Sequence, residues 1–215
     1  MNENLHGFKS ISLNAVGKKF SGQWVFRNVT LDINQGEKIA VTGMNGSGKS
    51  TFLQLLAGYV TQNEGAVCWE SNNGIIPVED VHNYISFSSP YMELIEEFTI
   101  EENIDFYKRF KKFQKNISTP LLTDLAGIRN SKNKQVKNFS SGMKQRLKLV
   151  LAFMADTQIL LIDEPLSNLD AEGYSWYRSL IGNLETGRTV ILCSNQVKEE
   201  TFFCERFVNI EDFKP

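Results

Sequence analysis

The sequence predicts an α/β fold built on a mostly parallel sheet, and three observations carry that expectation. Short apolar or alternating runs at 38–42, 159–162 and 188–193 read as strands. Segments with helical spacing, at 50–57, 141–155 and 171–184, stand between them. Strands that alternate with helices are joined by crossovers, which lay them side by side and parallel. At about 150 residues per domain, 215 residues allow one domain with a subdomain inserted.

The elements follow in order. Lys9–Val16 is an extended stretch that ends at Gly17. Val25–Ile33 alternates through Val25, Val29, Leu31 and Ile33, and Asn34-Gln35-Gly36-Glu37 turns the chain. Lys38–Thr42 is a short apolar strand that leads into a glycine loop. The next helix puts Phe52, Leu55 and Leu56 on one face. Tyr91–Leu125 is expected to be helical and is densely charged. Its acids (Glu93, Glu96, Glu97, Glu101, Glu102, Asp105) precede its bases (Lys108, Arg109, Lys111, Lys112, Lys115). It reads as part of a helical insertion over about 88–155. Met143, Leu147, Val150, Leu151 and Met154 make the helix at 141–155 amphipathic.

Composition excludes several classes. With 41% apolar and 22% charged residues the chain is an ordinary globular protein, not a disordered chain or a coiled coil. The 23 Lys and Arg against 25 Asp and Glu give a net charge of −2, so charge does not hold it to nucleic acid. The longest wholly apolar run, Leu149–Ala155, is far below the ~20 residues of a spanning helix. Met-Asn-Glu-Asn-Leu-His at the start has no secretory pattern. Cys68, Cys193 and Cys204 are odd in number and widely spaced, which fits reduced packing residues in a cytosol.

Gly43-Met44-Asn45-Gly46-Ser47-Gly48-Lys49-Ser50 fits G-x-x-x-x-G-K-[ST], between a strand and a helix. Such glycines turn successive backbone N–H groups inward around a phosphate, and the helix start adds its positive end. Lys49 reaches the β- and γ-phosphates and the Ser50 hydroxyl ligates Mg²⁺. This is a nucleoside triphosphate motif that leaves the reaction open. Gln158-Ile159-Leu160-Leu161-Ile162-Asp163-Glu164-Pro165 is an apolar strand ending in two acids. Ligands of open α/β sheets sit at such strand ends. Asp163 is the metal candidate and Glu164 the candidate general base for an attacking water.

Asn138-Phe139-Ser140-Ser141-Gly142-Met143-Lys144-Gln145-Arg146 precedes that strand. It resembles the L-S-G-G-Q signature of the ATP-binding cassette (ABC) family in a degenerate form. Ser140 and Gly142 match, while Phe139, Ser141 and Met143 stand for Leu, Gly and Gln. Ser167-Asn168-Leu169-Asp170 resembles the family's D-loop, and Phe20 stands where the family places an aromatic that stacks on adenine, with Trp24 the weaker candidate. The resemblance runs from about Ile11 to Ile210. It implies one nucleotide-binding domain over 1–215: a P-loop NTPase core, an N-terminal antiparallel β subdomain and an inserted α-helical subdomain.

The resemblance also implies a function. MgATP is sandwiched between two such chains, identical or homologous, and its hydrolysis drives a separate integral membrane permease. Binding falls to Phe20, Gly43, Asn45, Gly46, Ser47, Gly48, Lys49, Ser50, Thr51, Ser140 and Gly142, with Ser50 and Asp163 on magnesium. Catalysis falls to Glu164, Lys49 and Asn195. The helical insertion docks on the permease, using Tyr91, Phe98, Glu96 and Glu97, so the chain lies on the cytoplasmic face of the cell membrane. Asn195 replaces a family His, and Ser88 or Ser89 stands where the family has a Gln; both replacements imply slow hydrolysis. The basic, aromatic stretch Tyr107–Lys115 reads as a solvated helix face, with nucleic-acid stacking or anionic lipid as alternatives. A soluble ABC ATPase acting on ribosomes or DNA is the rival reading. A GTPase is disfavoured because Asn133-Lys134-Gln135-Val136 lacks the Asp of an N-K-x-D guanine reader.

Overall fold

A computed structural model of the chain describes residues 7–115, 117–131, 134–195 and 198–214. The first six residues and Asn133, both read above, lie outside them. The elements are β1 (Phe8–Phe20), β2 (Gln23–Asn34), β3 (Lys38–Thr42), α1 (Lys49–Leu56), β4 (Glu64–Ser71), β5 (Gly74–Ile76) and β6 (Ile85–Ser88). Then come α2 (Ile100–Lys108), α3 (Thr119–Leu125), α4 (Ser141–Met154), β7 (Ile159–Asp163), α5 (Ala171–Ile181), β8 (Thr189–Ser194), α6 (Lys198–Thr201) and β9 (Arg206–Asn209). Among the described residues one compact unit comprises 7–87, 157–163 and 185–214. The other comprises 88–156 and 164–184.

The first unit holds an antiparallel sheet in the order β2-β1-β4-β5 and a second sheet in the order β6-β7-β8-β3-β9. In the second sheet β7, β8, β3 and β9 pair in parallel. Every residue of β7 and β8 is buried, as expected of parallel strands covered on both faces. Phe52, Leu53, Leu55 and Leu56 of α1 join one core with Phe8, Ile11 and Phe26 of the first sheet and Ile39, Leu161 and Ile191 of the second. Trp69 Nε1 donates to Leu56 O at 3.0 Å, and the Phe26 and Phe52 rings meet edge-on at 5.9 Å. These contacts fix the helix that follows the glycine loop against both sheets of its unit.

β1 runs on to Phe20, past Gly17, where the extended stretch was expected to end. Gly17 sits in a bulge of the ladder, and a Cβ there would lie 2.9 Å from the Trp24 ring. The turn at 34–37 forms as expected, with Gly36 at φ 81° and Glu37 N donating to Asn34 O at 3.2 Å.

In the second unit the expected helical run of 91–125 is broken twice. Residues 91–99 form turns, because buried Asn103 holds them: its Nδ2 donates to Ile95 O and Thr99 O, both at 3.0 Å, and its Oδ1 accepts from Ile95 N at 2.9 Å. Thr99 and Glu102 form a capping box that starts α2. α2 stops at Lys108, so Tyr107–Lys115 is not one helix face. Phe113 bridges to Ala155, Asp156 N donates to Lys112 O at 2.8 Å, and the Tyr107 and Phe113 rings stack at 5.7 Å. α4 is buried nearly all round from Leu149 to Met154, beyond the one-sided pattern expected. α5 ends at Ile181, three residues short of the expected limit; Asn183 Nδ2 takes up the Ser179 carbonyl at 3.0 Å. Among the described residues no helix is long and apolar enough to cross a membrane.

Candidate functional site

Parallel pairing levels the carboxyl ends of three strands. Thr42 pairs with Ser194, and Cys193 pairs with both Val41 and Asp163. One sheet edge therefore carries the loop after β3, Asp163 at the end of β7, and Asn195 just after β8. This is the edge where open α/β sheets bind ligands.

The loop takes the backbone shape that glycine permits. Gly43, Gly46 and Gly48 have φ of 147°, 77° and 107°. A Cβ on Gly48 would lie 2.4 Å from Val25 Cγ1, so no side chain fits there. Asn45 and Gly46 form the exposed crest, while Ser50 and Thr51 lie half-buried in the first turn of α1. Lys49 opens α1 and is 4% exposed. Its ammonium donates to Gly43 O at 2.9 Å, Met44 O at 3.0 Å and Asn195 Oδ1 at 2.5 Å. Ser47 Oγ is buried with no hydrogen-bond partner among the described residues. Asp163 is 1% exposed. A serine hydroxyl and one carboxylate are hard oxygen donors, the kind magnesium takes with waters and phosphates completing its shell. The residues present thus fit that cofactor.

Cys193, read from sequence as packing, also donates its Sγ to Lys49 O at 3.3 Å and ties β8 to the first residue of α1. The two aromatic candidates differ in availability. Trp24 is half-buried with Lys19 Nζ 5.0 Å and Arg27 Cζ 4.7 Å from its ring centre. Phe20 is 49% exposed, with Lys18 Nζ at 4.6 Å.

Glu164, Ser140 and Gly142 belong to the other unit. Ser140 caps α4, its Oγ accepting from Met143 N at 3.2 Å. Ser140, Ser141, Gly142, Met143, Asn168 and Asp170 line a cleft of about 360 Å³. A Cβ at Gly142 would sit 3.2 Å from Asn168 O, which limits that position to a small residue. Glu164 has φ 44° and is half-buried. Gln145 Nε2 donates to Pro165 O at 3.1 Å and Glu164 O at 3.5 Å. Sequence reasoning missed Gln145 as a holder of this turn. The available signal was its place four residues before Leu149, on the buried face of α4. Of the two serines left open at the Gln position, Ser89 Oγ accepts from Tyr91 N at 3.2 Å. Ser88 Oγ is buried and has no partner among the described residues. Lys148 Nζ donates to Ser89 O at 3.1 Å and Pro90 O at 3.0 Å, and burial, with Lys144 nearby, pushes its pKa down. Glu96, expected to face a partner, is ion-paired with Lys144 at 2.5 Å.

Comparison with known proteins gives a consistent picture. The profile of a family described as ABC transporter matches residues 26–167. The taurine import ATP-binding protein of Jannaschia is 32% identical over 85% of this chain and 68% of its own length. The Nod factor export ATP-binding protein I of Rhizobium leguminosarum is 31% identical over 94% of this chain and 66% of its own length. The chain thus spans about two thirds of those relatives. A bacterial Atm1-family ABC exporter, solved with ATP bound, superposes with a TM-score of 0.78 at 18% identity, over 95% of this chain and 38% of the exporter chain. A Pyrococcus furiosus chain described as an ABC transporter ATP-binding protein superposes with a TM-score of 0.79 at 18% identity, over 96% of this chain and all of that one.

Proposed function

The chain belongs to the ABC transporter family, as one of its ATP-binding, ATP-hydrolysing subunits, and on that premise we propose that it drives a separate membrane-spanning permease from the cytoplasmic face of the membrane. The observation that supports this reading best is the loop itself. Three glycines take left-handed or extreme φ, one is walled in by Val25, and the buried lysine beside them is aimed at its own loop carbonyls. Such a loop is built to close around phosphate oxygens.

In this reading the N–H groups of Gly43, Asn45, Gly46, Ser47, Gly48, Ser50 and Thr51 cradle the phosphates, and Phe20 stacks on the base. Lys49 neutralises the β- and γ-phosphates. Ser50 and Asp163 hold magnesium, which when bound neutralises charge on the phosphate oxygens. Glu164 takes the proton of the attacking water, and the Asn195 carboxamide donates to the γ-phosphate. Ser140 and Gly142 face the nucleotide of a second cassette, a copy of this chain or a homologue. The two units described above belong to one nucleotide-binding domain. Closure on ATP and reopening after hydrolysis move the permease between states. The relatives named include an importer and an exporter subunit, so membership in the family carries the engine and not the cargo. The neutral Asn195 and the serines at 88 and 89 make turnover slow.

The test is affinity purification from detergent-solubilised native membranes, with the co-purifying proteins identified and MgATP turnover measured. A stoichiometric multi-span partner and turnover lost in Glu164→Gln support the reading. Recovery with ribosomal proteins or nucleic acid, and no membrane partner, favours a soluble ABC ATPase instead.

A further inference from the structure

We propose that Lys18 is a positioning residue for the nucleobase: its buried ammonium holds one face of the exposed Phe20 ring, so that the other face stays set to stack on the base. The inference rests on the ATPase reading above and deepens it at the base end of the site. Phe20 pairs with Gln23 across a two-residue turn, in which Ser21 and Gly22 have φ of 47° and 84°. It closes a hairpin whose second strand, through Val25, lies against Gly48 of the phosphate loop. An aromatic at such a tip, 49% exposed, has little packing to fix its ring. The Lys18 ammonium lies 4.6 Å from the ring centre. That is within the distance at which a ring face attracts a cation.

Lys18 can do this because its own place is fixed. Alternate residues of a strand share a face, which puts Lys18 with Phe20 and sends Lys19 to the other face, over Trp24. Asn63 grips the backbone on both sides of Lys18: its N donates to Gly17 O and its Oδ1 accepts from Lys19 N, both at 2.8 Å. Thr61 O, in the same loop, accepts from Lys18 Nζ at 2.8 Å. Lys18 is 8% exposed, and no carboxylate among the described residues pairs with it. A lysine so buried ordinarily has an acid beside it. Here one carbonyl and one ring take the place of the acid, and the charge stays unneutralised against the ring. Thr61 follows α1, the helix that Lys49 opens. One element thus carries the phosphate end at its start and the anchor of Phe20 just past its end.

The experiment measures the affinity of the purified chain for MgADP, which is not hydrolysed, and for magnesium pyrophosphate, which has no base. The chains carry Lys18, Lys18→Met or Lys18→Gln, each with Phe20 or Phe20→Ala. Lys18→Met keeps the stem, Lys18→Gln also keeps a donor for Thr61 O, and both remove the charge. Each should weaken MgADP binding about three- to tenfold and leave magnesium pyrophosphate within about twofold. Phe20→Ala should itself weaken MgADP at least about fivefold, and neither Lys18 variant should cost more in that background. One folded variant of the two suffices for the test. Unchanged MgADP affinity would mean that the ring holds itself. Equal loss of pyrophosphate would mean a phosphate contact or a structural role, and the same loss in the Phe20→Ala chain a role that bypasses the ring. Full affinity in Lys18→Gln beside a loss in Lys18→Met would place the effect in the Thr61 hydrogen bond. Each of these four results overturns the proposal. A Phe20→Ala chain that binds MgADP as the parent does removes Phe20 from the base, and the proposal with it, but leaves the ATPase reading standing. A parent chain that binds neither probe overturns the ATPase reading itself.

Discussion

Gln145 donates its Nε2 to the carbonyl oxygen of Pro165 at 3.1 Å, joining the first turns of α4 to the turn that begins at Glu164. The same nitrogen lies 3.5 Å from Glu164 O. Glu164 has φ 44°, a conformation that strains a residue with a Cβ by about 1–2 kcal/mol. A buried amide that holds the adjoining carbonyls helps keep that turn in place.

Replacement of Gln145 by Leu keeps the volume and removes the donor. Each hydrogen bond lost beside a buried carbonyl costs about 1 kcal/mol, and about 1.4 kcal/mol is a factor of ten in rate. Gln145→Leu should lower kcat by about tenfold and leave nucleotide affinity within about twofold. Steady-state ATPase assays beside equilibrium nucleotide binding separate the two. A loss of affinity that matches the loss of kcat would mean that Gln145 supports binding and does not position Glu164.

Three substitutions at the phosphate end should rank by the charge removed. Lys49→Ala deletes a buried cation with three hydrogen bonds and should abolish nucleotide binding and turnover together. Glu164→Gln should retain MgATP and lower kcat by about 100-fold or more, the range of a general base. Asn195→Ala removes one uncharged side chain and no ion, and should cost tenfold or less in kcat, the size of about one hydrogen bond. Side-by-side turnover of the three variants checks the order; equal loss in all three would contradict it.

The sheet was legible because its strands are continuous apolar runs, and β3, β7 and β8 appear within one or two residues of their expected limits. The glycine loop was legible for a local reason: spacing alone dictates its backbone. What escaped the sequence depends on contacts between distant residues. Asn103 breaks the helical charge pattern of 91–99 by taking up Ile95 and Thr99, and no periodicity announces that. Phe113 looks like one side of a helix but pairs with Ala155, forty-two positions on. Trp24, the weaker aromatic candidate in sequence, is half-buried with two cations packed on its ring, whereas Phe20 is exposed with one, and no spacing announces that difference. The Lys49–Asn195 contact joins positions 146 apart in the chain.

Gly48 is the loop position least able to change. Its φ of 107° strains any other residue, and a Cβ would meet Val25 Cγ1 at 2.4 Å. The left-handed backbone costs about 1–2 kcal/mol and the overlap about 1–3 kcal/mol more. Gly48→Ala should therefore destabilise the fold by about 3 kcal/mol, a Tm drop of about 6–12 °C in a chain of this size. Adding Val25→Ala relieves the overlap and not the backbone strain, so it should restore part of the loss. Thermal unfolding of the single and double variants tests this; no restoration would place the whole penalty in the backbone.

Lys111 gives the chain an alkaline signature. Burial lowers its pKa from 10.5 to about 8. Below about 8 the ammonium is charged in the folded and the unfolded chain, and the folded chain carries the full desolvation penalty. Between about 8 and 10.5 the unfolded chain still binds the proton and the folded chain has released it. The slope of stability with pH follows the protons bound unfolded minus those bound folded, so this residue adds stability as pH rises through that window. Lys111→Met keeps the stem and removes the charge. It should raise Tm at pH 7, and the advantage over the parent should shrink steadily towards pH 10.5 as Lys111 loses its own proton. Paired melting curves at pH 7, 8, 9 and 10 read that difference directly, with the other titrating groups common to both chains. A difference that stays constant across those four values would mean that Lys111 is solvated in the folded protein and that its burial does not lower its pKa.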